Sequence, residues 1–307
     1  MAPVSAAPSG EQWEIASGDL RATVVEVGGG VRTFTAGGRD VLEPYPVGAI
    51  CDAAHGTPLV PWPNRLEDGR YTFDGVEHQL PLTEPARHNA IHGLLRWQCW
   101  RAVERTGDRV VVQARIHPRT GYPFDLSVRV EYAFAGAGLR VTTTATNQGA
   151  TACPYASGQH PYLSPGAGLV DDCTLSLGAA TRITTDPDRQ LPIGTEDVAG
   201  TVFDFAAGRK LGAVQIDSAF TDLARDAEGL AWARLTGPDG ATVELWQDAA
   251  YPVTEVFTGD SLAPDRRRRG LAVEPMTAPP NAFRTGSGLQ RLEPGEAAVG
   301  VWGAGLR

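Results

Sequence analysis

Glu274, His160, His92 and Arg65 are the side chains of this chain whose types and settings could move protons or grip a polar ligand. Glu274 closes the apolar run LAVE, where a strand is expected to end. A carboxylate there is costly to bury without a partner, so it is either solvated or part of a site. His160 lies in GQHPYL. Pro161 pushes it into extended backbone, and the preceding Ser157-Gly158-Gln159 predicts an extended edge with little apolar packing on either side. Asn64 and Arg65 sit in PWPNRL, and His92 sits in NAIHGL just before a glycine. Singly, each has an ordinary structural role, such as a histidine bonding a nearby carbonyl. Together, a carboxylate, two imidazoles and a guanidinium without a cofactor motif suit general acid–base chemistry on a neutral polar substrate.

Other chemistries have weaker signals. His88 and His92 are spaced i, i+4, which on a helix would put two imidazoles on one face for zinc. Pro85 and Gly93 flank the pair and no third ligand is obvious nearby, so no metal is assigned. There is no G-x-S-x-G elbow, no P-loop and no dinucleotide fingerprint after a strand. The run Arg266 to Arg269 reads as a solvated turn, with an anion site as the sharper alternative.

The net charge of −9 argues against a nucleic-acid partner, which would need a basic face. No apolar run approaches the ~18 residues that span a bilayer, so no membrane partner is expected. Neither is a signal peptide, because no early basic-then-apolar pattern occurs. Cys51, Cys99, Cys153 and Cys173 are sparse and form no C-x-x-C pair. They are expected to be reduced, buried thiols of a cytoplasmic protein.

The elements that must carry these residues read as strands. Gly (36) and Pro (23) punctuate the whole length, leaving room for short runs but not for long amphipathic helices. LSVRVEYAF (Leu126 to Phe134) and LRVTTTATN (Leu139 to Asn147) alternate with period two around a Gly-Ala-Gly turn, predicting an antiparallel hairpin. RYTFDGVEHQL predicts another, with Asp74-Gly75 supplying the positive φ angles of a type I′ turn. RVVVQARI, ATVELWQD, PVTEVFTG and AAVGVWGA share this character. The expectation is an all-β chain: a small, Pro-rich, frayed tail over residues 1–10, then one domain over 11–307. Two large twisted antiparallel sheets would form it as a sandwich.

Four motifs in order, PWPNRLEDGRYTFDG, NAIHGL, GQHPYL and VEP, resemble the aldose 1-epimerase (galactose mutarotase) family over almost the whole chain. The GxHPYL form resembles a bacterial subgroup of it. The resemblance implies a galactose-mutarotase-like β-sandwich with an open cleft, acting on a free monosaccharide without metal or organic cofactor, as a monomer or homodimer. It implies that Glu274 is the general base at the anomeric hydroxyl and His160 the general acid at the ring oxygen. Arg65 and His92 match residues that hydrogen-bond the sugar, with Asn64 beside them on the binding wall. Asp217, in QIDSAF, resembles the family's sugar-binding aspartate, with Asp222 close by as a competitor. Trp62 or Trp246 could stack on the sugar's apolar face.

Overall fold

The computed structural model describes residues 7–164, 166 and 168–307. Strands dominate, and the longest α-helical stretch among these residues is Ala282–Thr285. Among the described residues, no helix is long and apolar enough to cross a membrane. Residues 1–6 of the expected tail lie outside the described residues. The tail ends earlier than expected, because Ser9 is fully buried and its carbonyl accepts a hydrogen bond from Val27 N.

The two expected sheets are present. One has nine strands and is built around the predicted hairpin, Leu126–Ala135 with Gly138–Asn147, in the register Val130↔Thr143. Leu126, Val128, Val130 and Tyr132 point inward from one strand, and Leu139, Val141 and Ala145 from the other. This is the period-two pattern read from the sequence. Each such Val or Leu contributes about 1.5–3 kcal/mol by leaving water. Asp74 (φ 50°) and Gly75 (φ 77°) make the type I′ turn between Arg70–Phe73 and Val76–Gln79.

The larger sheet has twelve strands, and its middle holds the residues of interest. Here Arg39–Leu42, Tyr162–Leu163, Leu271–Met276, Val253–Phe257, Asp217–Leu223 and Ala179–Thr185 lie side by side in that order. All neighbours are antiparallel. Every residue of Leu271–Met276 is buried, so its Glu274 is in the body of a central strand and not at the expected strand end. The ribbon Arg65–Glu67 with Asn89–Ile91 folds over this region and pairs Arg65 with Ile91.

Candidate active site

Asn64, Arg65, His92, His160, Asp217 and Glu274 line one cleft of about 330 Å³. Backbone contacts hold each in place. His160 donates its N–H to Thr57 O and accepts from Gly56 N at its carbonyl, while Pro161 O accepts from Val273 N. Gly158, two residues earlier, has no room for a side chain: a Cβ would lie 2.9 Å from Pro63 and 3.1 Å from the Pro275 carbonyl. His160 is therefore not on a bare edge, as the sequence suggested. It is buried and stacked on the Tyr162 ring (5.0 Å, 14°), which stacks in turn on His55 (4.4 Å, 8°).

Asn64 and His92 clasp each other. His92 N donates to Asn64 O (3.0 Å), and Asn64 N donates to His92 Nδ1 (3.2 Å). Both take left-handed backbone, at φ 52° and 61°. Because Nδ1 accepts, the imidazole proton is assigned to Nε2, which makes this atom a donor. Arg65 is anchored through its own carbonyl, which accepts from Asn281 N, and through its side chain, which reaches Glu84 at 3.0 Å and Asp217 at 3.7 Å. Asp217 lines the cleft, whereas its competitor Asp222 is exposed.

The chemical centre is the contact between His160 Nε2 and Glu274 Oε1, 3.3 Å apart. Both side chains are buried, at 4% and 2% exposure. Burial drives the Glu274 carboxyl well above its usual value, and the Asp217 charge pushes the same way, while Arg65 opposes them. Burial also lowers His160 to about 3, with the His55 and Arg96 charges adding to it. Both shifts work against an ion pair and toward the uncharged forms, a carboxyl beside a neutral imidazole. His92 is likewise held well below its ordinary range by burial and by His160, Arg96 and Arg65.

Two expected stacking residues are elsewhere. Trp62 is 2% exposed and packs against Phe283 with ring centres 5.5 Å apart. Trp246 lies opposite Trp232 in the nine-stranded sheet, on the face turned away from its buried neighbours Val243, Leu245 and Gln247. Alternation along that strand carries it away from the cleft. The exposed aromatic wall is Trp97, with the Arg96 guanidinium 3.9 Å over its ring. Arg96 makes no ion pair among the described residues, and its Nε has no hydrogen-bond partner.

Sequence reasoning missed Trp97, Arg96, Tyr162 and Glu255. Glu255 is the direct cross-strand neighbour of Glu274 and is 3% exposed. Burial, then Asp217 and Glu274, hold its carboxyl well above its usual value. Its signal was a lone carboxylate inside the strand-like run PVTEVFTG.

His88 and His92 share no helix, since His88 caps a short 3₁₀ turn and bonds Asp68. No metal-binding group of three such residues occurs among those described. The arginine run is not uniformly solvated. Arg268 is buried against Asp171 and Asp260, and Arg266 reaches His55. All four cysteines are free, but Cys99 is exposed.

The fold and cleft define a β-sandwich of the galactose-mutarotase-like type that pairs a carboxyl with an imidazole beside a wall of Asn64, Arg65, His92 and Asp217. The chain belongs to the aldose 1-epimerase family, whose model matches residues 11–300. It is 37% identical over 290 residues to the uncharacterized protein YihR of Escherichia coli K12, covering 94% of this chain and 91% of that one. It is 31% identical to the galactose mutarotase of Rattus norvegicus over 48% of this chain and 44% of the relative. The structure of the GalM/aldose epimerase homologue from C. elegans superposes with a TM-score of 0.85 at 20% identity, covering 97% of this chain and 98% of that one.

Proposed function

We propose that the protein is a mutarotase, interconverting the α and β anomers of a free aldohexose. The observation that carries the reading is the 3.3 Å contact of His160 with Glu274 in a cleft walled by Arg65, His92 and Asp217. The two reacting oxygens of a cyclic hemiacetal, O1 and O5, sit on one carbon. They call for an acid and a base side by side, which this pair supplies.

The pair holds one proton between its two groups. Moving it from Glu274 to His160 gives a carboxylate and an imidazolium. The carboxylate takes the O1 proton as the imidazolium protonates O5, the C1–O5 bond breaks, and the open-chain aldehyde forms. The pair is then back as carboxyl and neutral imidazole. After rotation about C1–C2, His160 takes the O5 proton, O5 attacks the other face of C1, and Glu274 protonates O1. Each group acts as acid in one direction and base in the other. His92 Nε2–H and Arg65 donate to sugar oxygens, and Trp97 offers an aromatic face.

The test is polarimetry of freshly dissolved α-D-glucose and α-D-galactose. Mutarotation faster than in buffer is expected, and no acceleration for any aldose of a broad panel would refute the reading. A second reading, an aldose carrying an acidic group, is favoured by Arg96, a cleft cation with no carboxylate partner. Faster turnover of acidic than of neutral aldoses in the same panel would select it.

A further inference from the structure

A column of rings runs back from the cleft behind His160. His55, Tyr162 and His160 lie nearly parallel, the first pair at 4.4 Å and 8°, the second at 5.0 Å and 14°. Tyr45 meets the far end edge-on (5.5 Å, 75°), and His92 meets the cleft end (5.3 Å, 73°). Tyr162 and His160 line the cleft, whereas His55 is buried behind it. Strand register brings His160 to Glu274: Gly158 pairs with Met276 and Tyr162 with Ala272, so His160 falls opposite Glu274. Register fixes where the side chain starts, but not how its ring is turned. The orientation of an imidazole is ordinarily set by the hydrogen bond of its second nitrogen. His160 Nδ1 is buried with no partner in another residue, and the Tyr162 hydroxyl is buried without one. Packing of ring on ring is left to set both planes.

His55 is held differently. Its Nε2 bonds the Glu43 carbonyl, and Arg266 Nη2 bonds its Nδ1. A guanidinium only donates, so Nδ1 accepts and the ring proton is assigned to Nε2, which donates to the carbonyl. Both nitrogens are engaged, so the ring cannot turn without breaking a bond, and the one from Arg266 is charge-assisted. Burial and the Arg266 charge keep this imidazole neutral, its pKa lowered to about 3. Of the three stacked rings, His55 alone is fixed by hydrogen bonds at both nitrogens. Arg266 opens the arginine run and is half-buried on a largely exposed loop.

We propose that His55 is a positioning residue for His160, acting through Tyr162, and that Arg266 locks His55 in the plane this requires. The column aims His160 Nε2 at Glu274 while His55 and Arg266 stay clear of the sugar. The inference rests on the mutarotase reading for its effect on rate, but not for its geometry.

Three variants test it. Arg266→Met removes the donor and keeps an aliphatic stem, Arg266→Lys restores a donor, and His55→Phe keeps a ring to stack but neither hydrogen bond. Polarimetry with the best aldose of the panel should show kcat about tenfold lower in Arg266→Met and His55→Phe, the loss from mis-aiming a proton-transfer group. KM should stay within about twofold, because Arg65, His92 and Asp217 still hold the sugar. Arg266→Lys should recover most of kcat. Proton NMR of the imidazoles gives a second readout that needs no turnover. The His160 ring signals should shift in Arg266→Met and return in Arg266→Lys, with those of His117, beyond the strand Arg109–Ile116 of the other sheet, unchanged. If His55→Phe does not fold, the two Arg266 variants decide. If kcat or the His160 signals stay as in the parent, or if KM rises as far as kcat falls, the positioning role is overturned. If the parent turns over no aldose, the mutarotase reading fails and the NMR decides alone: shifted His160 signals uphold the column, and unshifted ones overturn it.

Discussion

In the proposed reaction Glu274 has to act as a carboxylate, in a place that favours the carboxyl. Glu274→Gln keeps the shape and the hydrogen-bonding capacity but cannot accept the proton. Turnover should fall by about 10²- to 10⁴-fold, the usual worth of a positioned proton-transfer group. The melting temperature should stay within a few degrees of the parent, since burial already disfavours the charged form of this acid. Asp217 raises the proton affinity of Glu274, and Arg65 lowers it. In Asp217→Asn the negative charge goes and Arg65 is less neutralised, so both changes lower the Glu274 pKa. The proton shared by the pair is then lost more easily, so the basic limb of the kcat/KM profile should move to lower pH, together with a higher KM. A limb that stays put would show that Asp217 does not act on the base. Most of these residues were legible because their types stand out: a carboxylate after LAV, a histidine before proline, an arginine among Trp and Pro. Glu255 was not legible, because a glutamate in a Thr/Val run is ordinary on a solvated face, and only tertiary packing turned that face inward.

At the scale of elements, local chemistry was readable and placement was not. Asp74-Gly75 demanded a tight turn, and the hairpin around Gly136 followed from alternation alone. His160 was misread as an edge residue because GQHPYL contains no apolar neighbour before Tyr162. The burial comes from Thr57, Val273 and His55, which belong to other segments. The turn after His92 makes a similar demand. Gly93 has φ 69°, and a Cβ there would lie 2.0 Å from the Val60 carbonyl oxygen. Gly93→Ala should cost about 1–3 kcal/mol in thermal or denaturant unfolding. It should also raise the sugar KM, because the strained turn carries His92 directly. A variant with unchanged stability would show that the backbone relaxes there freely.

Over the whole molecule, buried ionisable groups set the response to pH. His55 and His160 are lowered to about 3, and His92 is well below its ordinary 6.5. Glu43 is raised to about 7, and Glu255 and Glu274 stand well above 4.5. Above pH 6.5 the unfolded chain has ionised these glutamates while the fold keeps them protonated, so stability falls as pH rises. Below pH 4.5 the unfolded chain carries protons on histidines that the fold leaves neutral, so stability falls as pH drops. Between those values the two effects cancel. A thermal-melt series should show a broad maximum from about pH 4.5 to 6.5, with a sharp optimum near neutrality as the contrary result.

The order of strands in the twelve-stranded sheet has a kinetic consequence. Arg39–Leu42, Tyr162–Leu163 and Leu271–Met276 are neighbours in space but come from widely separated parts of the chain. Long loops must close before they can pair, and such topologies fold slowly. His160 and Glu274 meet only across the last two of these strands. A refolding chain could regain most of its hairpins, and the spectroscopic signal of sheet, while still unable to turn over a sugar. Recovery of the proposed mutarotase activity after dilution from denaturant would then time the closing of the long loops, making that activity the late clock of folding.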